Sequence, residues 1–136
     1  MNTNVNAAKN LNTKVLLSNL WLLVYLNILT ADILGLNIPG SDELLKVTSA
    51  SMVTPIPQLM LFGAVTNELS IVMILLSRVL KYGVNRWVNI VMGIVTITYV
   101  WVLGSPYPHY IFIATVETIC VLLIIWSAWK WTEQGA

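Results

Sequence analysis

The sequence predicts an all-α fold, a four-transmembrane-helix bundle with both termini in the cytoplasm (N-in/C-in), and three observations predict it. The 136-residue chain is 57% hydrophobic and only 10% charged, whereas charged residues make up about 25% of a soluble domain. Its mean hydropathy is +0.79, and its apolar residues gather into four long runs broken by Pro, Gly and Asn. When those runs are folded as four spans, the basic residues fall almost entirely on one side. A soluble fold of this length would leave more apolar surface than one small core can hide, a difficulty that a bilayer removes.

Residues 1–14 are polar and Asn-rich without apolar periodicity, so they read as an N-terminal tail. Residues 15–36, VLLSNLWLLVYLNILTADILGL, carry a single charge and, at about 1.5 Å per residue, cross a hydrocarbon core of roughly 30 Å. A cleaved signal peptide is the rival reading of this stretch. It fits less well, because the stretch exceeds an apolar region of about 7–15 residues and Leu29 spoils a small-x-small site before Ala31.

Asn37, Ile38, Pro39 and Gly40 end the first span. Ser41 is then a candidate N-cap, with Asp42 and Glu43 in the first turn of a short interfacial helix in the first outer loop. Thr54, Pro55, Ile56 and Pro57 combine a capping hydroxyl with prolines suited to a helix start, and the second span runs over 56–80. Residues 81–86, KYGVNR, read as a tight polar turn before a third span at 87–103, which is near the lower length limit. Gly104 to Pro108 make the next turn, a fourth span covers 110–129, and 132–136 form a C-terminal tail.

Orientation follows from the basic residues. Lys9, Lys14, Arg78, Lys81, Arg86 and Lys130 fall on one side of the four spans and only Lys46 on the other, which the positive-inside rule assigns to cytoplasm and exterior respectively. Tyr82, Trp87, Trp126, Trp129 and Trp131 fall near the inner interface and Trp101, Tyr107 and Tyr110 near the outer one, as aromatic belts do. A multi-pass protein of the cell (inner) membrane is expected. Its first partner is the lipid bilayer.

The net charge of +1 lacks the basic footprint of a nucleic-acid binder. The single cysteine, Cys120, has no intramolecular disulfide partner, and no Cys/His group has metal-ligand spacing. With no nucleotide-binding loop either, no cofactor and no metal are expected.

Three acids lie inside the expected spans: Asp32 in the first, Glu68 in the second and Glu117 in the fourth. A charge at the centre of a span costs roughly 2.5–3.5 kcal/mol on insertion scales, so each acid is expected to face the bundle interior, a wet cavity or a partner. Counting from the outer helix ends puts Asp32 about 8 Å deep, Glu117 about 12 Å and Glu68 about 20 Å. Asn27, Asn67 and Tyr99 stand at similar depths, with Gln58, Thr66, Thr96, Thr98 and Thr115, as groups that can hydrogen-bond a carboxyl or a ligand. The competing explanation is that the acids are interhelical glue that fixes bundle register. Trp21, Tyr25, Ile28 and Asp32 share one helix stripe, either as a wall leading to the acid or as packing. Arg78 reads as a snorkelling topology anchor and His109 as an interfacial residue at the outer rim.

The run ELSIVMILLSRVLKYGVNRW from Glu68 to Trp87, with the later YIFIATVETICVLLIIWSAWKW, resembles a bacterial family of short four-helix membrane proteins of unassigned function. That resemblance covers most of the chain and places Asp32, Glu68, Ser77, Arg78, Lys81, Tyr82, Ala114, Thr115 and Glu117 at the positions of the family pattern. More distantly, the architecture is similar to DoxX-like four-helix membrane proteins. Neither likeness implies an activity.

Three functions compete. The first is a bundle that binds or transports a small cation, proton or amphipathic molecule through Asp32, Glu68 and Glu117. The second is a membrane-embedded enzyme acting on a lipid or quinone with two carboxyls as acid and base. The third is a structural or accessory subunit whose partner is a second copy or another membrane protein.

Overall fold

The computed structural model describes residues 2–132. Among these residues the chain forms five helices and no strand: α1 (Asn2–Leu36), α2 (Ser41–Ser51), α3 (Ile56–Val79), α4 (Tyr82–Val102) and α5 (Pro108–Lys130). Three helical stretches, residues 8–36 of α1, α3 and α5, are long and apolar enough to cross a membrane. The fourth long helix, α4, is not one of them, because Asn85, Arg86 and Asn89 crowd its first turns.

Several helix ends differ from the sequence expectation. The polar segment 1–14 is helical from Asn2 onward, continuous with the apolar part of α1, and Asn10 accepts a hydrogen bond from Trp131 Nε1 at 3.0 Å. α4 begins at Tyr82 rather than 87, so most of the expected 81–86 turn is helix and only Leu80 and Lys81 connect α3 to α4. Side-chain partners explain this: Asn85 Nδ2 donates to the Ser77 carbonyl at 2.7 Å, and the Tyr82 hydroxyl donates to the Trp131 carbonyl at 2.8 Å. Thr54 does not cap α3; its hydroxyl donates to the Met52 carbonyl, and Pro55 occupies the N-cap position. A short helix does follow the first break, where Gly40 takes φ +83°, a conformation glycine adopts without strain. Of the expected C-terminal tail, residues 133–136 lie outside the described residues.

α1 packs along both α3 and α5, and α4 packs along α5 but touches α3 little. Gly93 permits the α4–α5 approach, since a Cβ there would stand 2.8 Å from Ile125 Cγ1 and 3.2 Å from Val121 Cγ1. The buried core runs through Leu17, Trp21 and Val24 of α1, Met73 of α3, Ile90 of α4, and Val121, Ile124 and Ala128 of α5. Large apolar side chains also cover the outside of the bundle, among them Leu22, Ile33, Leu61, Leu75, Phe112 and Leu122. A water-soluble domain rarely exposes such a continuous apolar surface, whereas hydrocarbon solvates it without cost.

The bundle has two ends. At one lie Asn10, the α3–α4 connection and Trp131; at the other lie α2 and the turn between α4 and α5. Each half carries its own layer of buried polar groups.

Candidate functional site

In the half nearer the termini, α4 supplies Asn85 and Asn89 one turn apart, both 0% exposed. Asn89 Oδ1 accepts from Trp21 Nε1 at 2.7 Å and from the Ser77 hydroxyl at 3.1 Å, and Asn89 Nδ2 donates to Asn85 Oδ1 at 2.6 Å. Ser18 Oγ donates to the Ile74 carbonyl at 2.8 Å and accepts from Arg78 Nε at 2.9 Å. This hub ties α1, α3 and α4 together with its amide groups paired. Asn89 is not among the expected site residues and Asn85 falls in the expected 81–86 turn; the signal for both is their i, i+4 spacing, which puts them on one helix face.

Nearer the α2 end, α1, α4 and α5 enclose a cavity of about 110 Å³ lined by Asp32, Tyr99, Tyr110 and Glu117 together with apolar residues such as Ile28 and Ile113. Glu117 is 3% exposed, and its Oε1 is buried without a hydrogen-bond partner. Asp32 sits at the rim, exposed, with Oδ2 accepting from Asn67 Nδ2 at 3.2 Å across the α1–α3 contact. Tyr110 is fixed by its hydroxyl, which donates to the Val100 carbonyl at 2.9 Å near the end of α4. Gly104 makes room for that ring, since a Cβ there would lie 2.7 Å from it. Two carboxyls and two phenols around one small space can hold a cationic group or exchange protons.

Asp32, Tyr99 and Glu117 are therefore brought together, and Asn67 braces Asp32 from α3. Asn27 is not part of the cavity; its Nδ2 donates to the Leu23 carbonyl of its own helix at 2.9 Å. Glu68 departs from the expectation of an inward acid. It lies exposed on the face of α3 that carries Leu61, Val65, Val72 and Leu75, while Ser70, Met73 and Ser77 are the buried residues of that helix. Counting depth along a helix says nothing of rotation about its axis, and one residue of offset from Asn67 turns a side chain by about 100°.

A larger cleft adjoins the acid cavity. It has two lobes of about 600 and 570 Å³ that share Met52, Phe62, Tyr99, Val102 and Leu103 as walls; Asp32 also lines the first, and Ile94, Val95 and Thr98 line the second. Phe62 and Tyr99, which line both lobes, are in tilted ring contact, their centroids 6.1 Å apart and their planes at 54°.

A family model described as a family of unknown function, DUF6326, matches residues 7–136, which meets the expectation of an uncharacterised family. Comparison with curated proteins and with solved structures found no match.

Proposed function

The chain belongs to that family of unknown function, so no activity comes with membership, and we propose from the site itself that this membrane protein binds a small cationic group, exchanging it with protons, at Glu117 and Asp32. The observation that carries the reading is Glu117: a carboxyl 3% exposed, with Oε1 unpaired, beside a cavity it shares with a second carboxyl. Burying such a group without a partner costs roughly 1–3 kcal/mol or more, a cost that a bound cation offsets. In this reading α1, α3, α4 and α5 all span the cell membrane with both termini inside, supported by the six-to-one distribution of Lys and Arg between the two ends. The cavity then lies in the outer half of the bilayer, and Asn67 and Tyr99 position the ligand.

Modification of buried carboxyls by dicyclohexylcarbodiimide, read by peptide mass, tests this. Methylammonium is expected to protect Glu117 and to leave the exposed Glu68 reacting as before. Equal modification of Glu117 with and without methylammonium would contradict the reading.

Glu68 favours an additional role as part of an accessory or oligomeric contact. A carboxyl midway along α3 on an apolar outward face is costly in hydrocarbon, and a partner helix that hydrogen-bonds it removes that cost. Cysteine cross-linking at Val72 in native membranes is expected to trap such a contact, and Glu68→Leu to abolish it; cross-linking unaffected by Glu68→Leu would remove the acid from the role.

A further inference from the structure

We propose that the ligand is a single-chain amphiphile with an ammonium head, the head seated between Asp32 and Glu117 and the alkyl tail lying in the cleft between α3 and α4. The inference rests on the cation-site reading and adds to it the class of molecule and the side from which it enters.

Size is the first argument. The acid cavity, about 110 Å³, is too small for an organic ligand of ordinary size, whose pockets run from about 300 to 1,000 Å³. Each lobe of the adjoining cleft falls within that range. The two spaces share walls: Tyr99 and Leu103 line the cavity and both lobes, and Asp32 lines the cavity and the larger lobe. A molecule with its head against Asp32 therefore has a place for its tail alongside Tyr99.

Chemistry is the second. The apolar part of the cleft wall includes Met52, Phe62, Ile94, Val95, Val102 and Leu103, with Ser51, Gln58 and Thr98 among its polar lining. Phe62, Ile94 and Val102 are exposed on the outside of the bundle, so the cleft opens sideways to hydrocarbon where α3 and α4 make little contact. No Lys or Arg is among the described residues lining the cavity or either lobe. A phosphate head would find no cationic partner here and would meet the Asp32 carboxylate, which disfavours phospholipid as the specific occupant. An ammonium matches the two carboxyls, and the Tyr99 and Tyr110 rings beside them suit it further.

The test uses the full chain in phosphatidylcholine nanodiscs and an octylamine carrying a diazirine at the end of its chain. Affinity alone would mislead, because partitioning into the bilayer raises the local concentration of any alkyl amine, so the readout is where the probe attaches. Light is expected to attach it to residues of the Phe62, Val95 and Val102 wall. Glu117→Gln should reduce that labelling about tenfold, corresponding to the loss of one charged contact. Gly63 lines the larger lobe with nothing within 4 Å of its Cβ position. Gly63→Phe should therefore reduce labelling and Gly63→Ala should not, with melting curves confirming that both fold. Phosphatidylcholine carrying the same diazirine should label wild type and Glu117→Gln alike.

Octylamine labelling outside the cleft, or labelling of the cleft that Glu117→Gln leaves unchanged, would overturn the proposal and identify the cleft as an ordinary lipid groove. If methylammonium protects Glu117 from carbodiimide while the octylamine probe attaches elsewhere, the amphiphile fails and the cation site stands. If methylammonium gives no protection, the cation site fails and this inference with it.

Discussion

The two polar layers of the bundle are built from similar materials and finished differently. Around Asn89, the amide oxygen, the amide nitrogen, an indole and a serine hydroxyl are paired within about one helical turn, at distances of 2.6–3.1 Å. Around Glu117, a carboxyl oxygen as deeply buried as those amides is left without a partner, beside open space. In a membrane, where unmet polar groups are costly, a closed network is what interhelical glue looks like. In the proposed reading, the open one is the place where a cation binds. The explanation that the intramembrane acids merely fix register thus describes the hub well, although the hub contains no acid, and describes Glu117 poorly.

This contrast can be broken by substitution, and the largest effect is expected at the hub. Asn89→Leu strands Trp21 Nε1, the Ser77 hydroxyl and Asn85 Oδ1 together, and should lower stability by about 2–4 kcal/mol in a detergent unfolding titration. Gly93→Ala should cost about 1–2 kcal/mol in the same titration, because the added Cβ meets Ile125 at 2.8 Å in a packed helix crossing. Glu117→Leu is expected not to lower stability and to raise it by up to about 1–3 kcal/mol, since it removes a buried group whose Oε1 makes no hydrogen bond, and yet to abolish the rise in Tm that methylammonium gives. A loss at Glu117→Leu as large as that at Asn89→Leu would erase the distinction between the layers. Smallest of all, Glu68→Gln should leave the stability of the isolated chain within about 0.5 kcal/mol of wild type, as exposed substitutions do.

Much of the architecture was legible because the breaks are chemical. Pro39 with Gly40, Pro55 with Pro57, and the Gly104 to Pro108 turn interrupt the helical backbone by their own geometry, and the helices end beside them. The start of α4 was not legible. Tyr82 to Arg86 look like a turn until Asn85 meets the Ser77 carbonyl and Tyr82 meets Trp131, contacts that exist only once α3 and α5 are in place. The acids illustrate the same limit. Depth along a helix can be counted, so Asp32 and Glu117 were matched in level and share a cavity; rotation depends on which neighbours the helix finds, and Glu68 turned outward. Tyr99 stood among several hydroxyl-bearing residues at a suitable depth, with nothing in the sequence to mark it as the wall common to the cavity and both lobes of the cleft.

Paired melting of wild type and Glu117→Gln, each with and without saturating methylammonium, tests whether Glu117 holds a cation. A ligand that binds only the folded chain raises its stability by about 2.7 kcal/mol at a hundred times its Kd. The wild-type Tm is expected to rise with methylammonium and the Glu117→Gln Tm to stay where it was, with both proteins folded alike in its absence. Equal shifts in the two proteins, or none in either, would contradict a cation site at Glu117.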